Sequence, residues 1–296
     1  MRTREEIEKE IEKVTHEVNF QDTIQSGLKI ANNGSYGKMG SMYSSLYSPE
    51  TLLQVTLTGQ LVMLMLIETL EKNGFKVVSS NTDGVEYVCE KDKIHLAEAL
   101  IFEWELDTKL VMEHGQYDAL YARDVNNYVA VYPDEVKAKG VYAKPTLSKN
   151  SEYPIVFEAI RRYLFDNMVS LEETITECMD VRQFLTSRTV KTGGVWKPKV
   201  LTETTLGSFM SGPTEFYEKA IGTEGGIYLG KVVRWYYAKD GNSIHYKNNG
   251  NKVPKSDGAH PMMELSDSLP LDLDYDKYIE LAIGHLEDTG VKYEWL

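Results

Sequence analysis

The chain has 296 residues, a formal net charge of −13, 42% hydrophobic residues and 26% charged residues. That length accommodates two domains with cores of their own or one large one, and the composition is that of an ordinary soluble globular protein. An acidic balance argues against a general nucleic-acid binder, because neutralising phosphates takes Lys and Arg. Two cysteines without paired spacing, Cys89 and Cys178, suggest neither a disulfide framework nor a zinc site.

The bases are unevenly spread. Lys137, Lys139, Lys144 and Lys149 lie in an acid-free stretch from Val136 to Ser151, and Arg182, Arg188, Lys191, Lys197 and Lys199 lie in another from Val181 to Thr202. Such a strip can hold a phosphate backbone while the acidic body repels it. Either strip is equally well read as a solvated loop. The charged start carries no secretory signal, and the longest apolar run, Leu61 to Ile67, is too short for a membrane span. These features predict a protein of a reducing cytoplasm with no membrane partner.

In chain order, Ile7, Ile11, Val14 and Val18 follow spacings of four, three and four and predict a helix over 4–18. Asp22 is a plausible N-cap for a second helix running to Tyr36 and closed by glycines. A third spans Pro49 to Lys72, stops at Asn73-Gly74, and is apolar nearly all round, which predicts a buried helix. Phe75 to Tyr87 reads as a hairpin turning at Asn81-Thr82-Asp83-Gly84. A helix over 93–102 and strands over 109–113, 117–123 and 127–132 follow. Beyond Gly140 the pattern predicts helices over 155–168 and 171–185, strands over 227–237 and 244–246, and a closing helix over 275–289. The change of character places a domain boundary between Gly140 and Ser151.

Two clusters of residue types carry chemistry. Lys29, Asn33 and Tyr36 fall on one helix face at spacings of four and three. There a cation, an amide and a ring could grip a nucleoside triphosphate, the lysine as a point charge and the ring against sugar and base. The plainer reading is a surface lysine beside a helix end. At the hairpin tip, the Asp83 carboxylate could ligate a hard cation such as magnesium, or Asp-Gly could simply make the turn.

Order and spacing join these pieces. Lys29-Ile30-Ala31-Asn32-Asn33-Gly34-Ser35-Tyr36-Gly37 resembles motif B of the family B DNA polymerases, a Lys, three residues, Asn-Ser, any residue and Tyr-Gly. Val55-Thr56-Leu57-Thr58-Gly59-Gln60 is similar to that family's palm helix, and Asn81-Thr82-Asp83-Gly84 to its motif C, Asp-Thr-Asp-Ser. Val125-Asn126-Asn127-Tyr128 and Lys137-Ala138-Lys139-Gly140 are similar to the primer-contacting Lys-Lys-Arg-Tyr segment and the Lys-x-Lys-Gly that opens the thumb. These features cover residues 20–140. Leu273-Asp274-Tyr275-Asp276-Lys277-Tyr278 resembles a tyrosine-containing thumb segment of bacteriophage members.

The resemblance implies an α+β fold: partial fingers helices over 1–37, a palm with the motif C hairpin over 38–140, and a mixed helical and β-rich thumb and C-terminal module over 141–296. It implies template-directed DNA synthesis from dNTPs on primer–template DNA, in the cytoplasm or, for a virus, the host cytoplasm. Asp83 would be the catalytic metal ligand, and Lys29, Asn33 and Tyr36 the nucleotide-binding residues. Gly37, Arg123, Asn127, Tyr128, Lys137, Lys139, Gly140, Lys191, Lys197 and Lys199 would face DNA. Asn81 stands where the family has its less demanding motif C aspartate, and Val125 and Asn126 replace lysines of the primer segment.

The largest departure is motif A, Asp-x-x-Ser-Leu-Tyr-Pro-Ser, which belongs before the fingers helices. Ser45-Leu46-Tyr47-Ser48-Pro49 lies after motif B and lacks the acid. Two-metal nucleotidyl transfer needs a carboxylate from each motif, so the expectation is a second polymerase chain that brings motif A and an exonuclease, with magnesium held between the chains. The alternative is a non-catalytic remnant that binds DNA or a partner.

Overall fold

The computed structural model describes residues 3–145, 152–166, 168–198 and 226–293, and the chain divides into two compact units, Met1–Glu113 and His114–Leu296. In the first unit, α1 (Arg4–Met39) opens on a capping box: Thr3 Oγ1 accepts from Glu6 N at 3.3 Å, while Thr3 N donates to Glu6 Oε2 at 2.8 Å. The two helices expected over 4–36 are this single one. Nothing between Val18 and Asp22 is a proline or glycine, so the hydrogen-bond ladder runs on and Asp22 lies inside it rather than capping it. Gly34 and Gly37 are also helical, and the helix closes at Gly40. No residue of α1 is buried.

Helix α2 (Pro49–Lys72) has the expected bounds, with proline in its first turn and Gly74 at φ 86° beyond its end. Its burial differs from the expectation. Only Met63, Leu66 and Leu70 are buried; they pack with Phe75, Ala97, Ile101 and Trp104 as the core of this unit. Leu53, Val55, Leu57, Leu61 and Leu64 are exposed. All-round apolar character reported composition; one stripe is enough to meet α3 (Ile94–Thr108), onto which Trp104 Nε1 locks α2 by donating to Val62 O at 3.0 Å. By length and composition alone α2 could cross a membrane, which the shorter run Leu61–Ile67 does not show.

The hairpin forms as expected from β1 (Lys76–Ser80) and β2 (Val85–Val88), paired antiparallel in a two-stranded sheet. The strand expected over 109–113 is absent. Lys109 takes a left-handed φ of 62° that ends α3, and Met112 N is tied back to Glu105 Oε1 at 2.5 Å, which leaves the segment no strand partner.

The second unit begins with the sheet β3 (Ala119–Asp124), β4 (Asn127–Val131) and β5 (Val136–Lys139), antiparallel in that order. Helices α4 (Pro154–Phe165), α5 (Leu171–Thr176) and α6 (Tyr275–Glu287) pack around a core that also includes Val129 of β4. The sequence-based boundary at 140–151 therefore falls inside this unit. The helix expected over 171–185 stops at Thr176. Asp180 caps a separate 3-10 turn, Val181–Phe184, by accepting from Arg182 N at 3.0 Å. A second sheet, in the order β8-β6-β7-β9, consists of β6 (Thr186–Trp196), β7 (Ile227–Tyr237), β8 (Ile244–Tyr246) and β9 (Ala259–Pro261). The buried Tyr278 hydroxyl joins α6 to this framework, accepting from Tyr237 N and donating to Phe184 O, both at 2.8 Å.

Candidate nucleotide and nucleic-acid site

On α1, Lys29, Asn33 and Tyr36 share a face, as their spacing requires. Tyr36 is the member tied down: its hydroxyl lies 2.6 Å from Thr56 Oγ1 on α2. Thr56 spends its own proton on Leu52 O at 2.9 Å, so Tyr36 is the donor. This bond links the Lys29–Gly37 stretch to the Val55–Gln60 stretch. Lys29 and Asn33 stand exposed, with no side-chain hydrogen bond or ion pair among the described residues. Gly37 lies one turn before the end of α1, with open space around its Cα.

Asp83 sits at the exposed tip between β1 and β2. The turn is built by Asn81: its N–H donates to Gly84 O at 3.0 Å, and its Oδ1 accepts from Asp83 N at 3.1 Å. That is an Asx turn, and it leaves the Asp83 carboxylate free of backbone duties. Among the described residues no three His, Cys, Asp or Glu are grouped to hold a metal. Asp83 has the hard oxygen chemistry that suits magnesium, but alone it offers one of the several ligands such a cation takes. The residues at hand do not complete a metal centre.

The sheet β3-β4-β5 brings six of the other sequence-predicted residues together. Lys137 and Lys139 alternate onto the exposed side of β5. Lys139 pairs in register with Tyr128, its Nζ 5.7 Å from that ring's centroid, and Lys137 Nζ lies 4.7 Å from the Tyr132 centroid and 3.1 Å from Glu135 Oε1. Arg123 Nε donates to Asp124 Oδ2 at 3.1 Å. Asn127 is engaged on both sides of its amide, donating to Asp124 Oδ1 at 2.7 Å and accepting from Val141 N at 2.9 Å, next to Gly140 at φ 65°. Asn127 and then the Asn126 N–H hold the Asp124 carboxyl below the usual carboxylate range. Lys191 and Lys197 are exposed at and just beyond β6, which belongs to the other sheet of this unit, and Lys199 and Lys149 lie outside the described residues. Sequence reasoning missed Asp124, whose spacing of three to Asn127 was its only signal.

Residues 1–142 match the family model for DNA polymerase family B. DNA polymerase 1 of Sulfolobus acidocaldarius is 27% identical over 125 residues, and DNA polymerase 1 of Sulfurisphaera ohwakuensis is 26% identical over 125 residues; each match covers 42% of this chain and 14% of the relative. The chain thus spans about a seventh of the length of the curated relatives it matches. The family model covers just under half of the chain, and each archaeal relative is similar to it over 125 residues.

Proposed function

We propose that this chain is the motif B and motif C portion of a DNA polymerase, which transfers nucleotides from dNTPs to a primer 3′-hydroxyl on a DNA template. One observation carries the reading. Tyr36 is bonded to Thr56, so the face bearing Lys29 and Asn33 is anchored to α2, the helix that packs on α3 and leads directly into the hairpin bearing Asp83. In this reading Lys29 meets the triphosphate as a point charge, Asn33 supports it, and Tyr36 abuts the nascent base pair. Lys137 and Lys139, with Arg123 and Tyr128, track the primer–template backbone, while Asn127 and Gly140 hold that sheet in shape; Gly37 leaves room for the template at the end of α1.

Asp83 would be this chain's ligand to magnesium, which supplies charge neutralisation at the transferring phosphoryl group. A second carboxylate comes from outside these residues, on a partner chain with motif A. The exposed face of α2 and the two-stranded sheet, which has no third strand among the described residues, suit such a partner. The test is primer extension by the purified chain, alone and after co-expression with a motif A chain. Extension only in the complex supports the reading; magnesium-dependent extension by the chain alone removes the partner from it, and DNA binding without extension in the complex points to the non-catalytic alternative.

A further inference from the structure

The residues beyond 142 lie outside the family match, and their second sheet is basic in a way the whole-chain charge hides. Over 181–198 and 226–255 there are ten Lys and Arg against a single acid, Asp240, in a chain of net charge −13. Not all of these bases are available. Arg182 pairs with Asp180, Arg188 and Lys255 with Glu152, and Lys252 with Asp257. Lys191, Lys231 and Lys247 are exposed and have no carboxylate partner among the described residues.

Backbone register brings these three to one place. Thr189 pairs with Val232 and the next pair is Gly194 with Gly230, so the four residues Val190–Gly193 bulge opposite the single residue Lys231. Val190 turns into the core while Lys191 and Thr192 are exposed on the bulge. On the other side of β6, Lys247 N donates to Gly193 O at 2.9 Å, and Thr192 Oγ1 donates to Asn248 Oδ1 at 2.9 Å. Gly193 has φ 90°, and a Cβ there would run into the Tyr228 ring. That ring lies against the bulge with Lys247 Nζ 4.8 Å from its centroid. The bulge is therefore a fixed platform rather than a loose loop.

We propose that this bulge is a binding site for a nucleic-acid phosphate backbone, with Lys191, Lys231 and Lys247 as its contacts. The proposal rests on the reading of this region as DNA-facing and adds Lys231, Lys247 and the bulge itself. Charge complementarity selects the occupant: three unneutralised ammonium groups on an otherwise acidic chain attract a polyanion locally. Phosphates are common to every sequence, so contacts made through these three ammonium groups are independent of sequence.

The test is fluorescence anisotropy of the full chain with labelled single-stranded and primer–template DNA across a salt series, without nucleotide or magnesium. The triple variant Lys191→Ala, Lys231→Ala, Lys247→Ala is expected to lose at least about tenfold in affinity at low salt. Its log–log salt slope should flatten by roughly two on single strands and nearly three on duplex. Lys239→Ala, an exposed lysine on the same sheet unit, should stay within twofold, and melting temperatures should match. An unchanged affinity and slope in the triple variant, or absence of DNA binding by the parent chain, would each overturn the proposal. Because no catalysis is measured, failure of nucleotide transfer in the reconstituted complex leaves this result standing, and failure here leaves the polymerase reading standing.

Discussion

Asn127 and Gly140 occupy each other's space: a Cβ on Gly140 would collide with Asn127 Oδ1 and with Asn126 O, and that same Oδ1 accepts the Val141 N–H at 2.9 Å. Gly140 also needs its left-handed φ of 65°. Gly140→Ala is therefore expected to cost at least about 2 kcal/mol, from the backbone conformation and the lost Asn127 bond together. Thermal melting checks this. A melting temperature equal to the parent's would mean that the β5 end can relax without Asn127.

Asp124 anchors the other side of the Asn127 amide, and its carboxyl is held low by Asn127 and then by the Asn126 N–H. A depressed acid lends stability that is complete above its unfolded value and is lost as pH falls through the folded value. The β3–β4 turn should accordingly hold at neutral pH and loosen only in the acid range below ordinary aspartate titration. Amide chemical shifts of Asn126 and Val141 would follow it, and should be flat with pH in Asp124→Asn.

His285 gives a dependence nearer neutrality. Burial depresses its pKa; Asp288, whose carboxylate is 3.6 Å from Nδ1, opposes this, while Lys255 and Arg123 reinforce it and Glu152 opposes it. The Phe157 ring packs on it at 5.1 Å and its carbonyl accepts from Tyr142 Oη at 2.8 Å. A histidine with a lowered folded pKa stabilises the fold above the unfolded value of 6.5 and loses that contribution as pH falls below it. Melting temperature should decline from pH 6.5 toward 5, and the decline should be shallower in His285→Gln. Identical profiles would assign the decline to other groups.

The proposed partner chain gives α1 a seam to test. Ile7, Ile11, Val14 and Val18 are exposed along one seam, and in heptad register Glu8, Glu10, Glu17 and Asp22 flank it. A second copy would set acid against acid, whereas a helix with basic flanks would fit. Ile11→Glu with Val14→Glu should abolish association with the motif A chain while circular dichroism stays unchanged. Light scattering after size exclusion reads this out, and an intact complex would place the interface elsewhere.

What the sequence made legible follows from locality. Helix α2 had Pro49 at one end and Asn73-Gly74 at the other, and β7 is a run of branched and aromatic residues, so the bounds of both could be read directly. Continuity of α1 was not legible because Asp22 has capping chemistry wherever it sits, and only the unbroken ladder shows it unused. Apolar residues around α2 announce that its faces avoid water without saying what covers them. Strand β6 hid for another reason: Lys191-Thr192-Gly193-Gly194 has no alternation, and its pairing to Gly230 is remote in sequence. Lys29 and Asp83 could be named from their motifs, whereas the grouping of Lys191 with Lys231 and Lys247 exists only in the register.

The hairpin tip supports the most discriminating experiment. Asn81 builds the turn through its Oδ1, and Asp83 contributes only its N–H, so the two residues separate architecture from chemistry. In the reconstituted complex Asp83→Asn keeps the turn and removes the charge that would meet the metal; single-turnover incorporation should fall by orders of magnitude with an unchanged melting temperature. Asn81→Ala loses the Asx bond, about 1 kcal/mol of local stability, and should lower transfer only mildly; Asn81→Asp keeps an acceptor there and should restore the turn. In the proposed reading Lys29 meets the triphosphate in both ground and transition states, so with Lys29→Ala apparent dNTP affinity should worsen along with rate. Near-normal transfer in Asp83→Asn, with its loss in Asn81→Ala, would move the ligand assignment from Asp83 to Asn81.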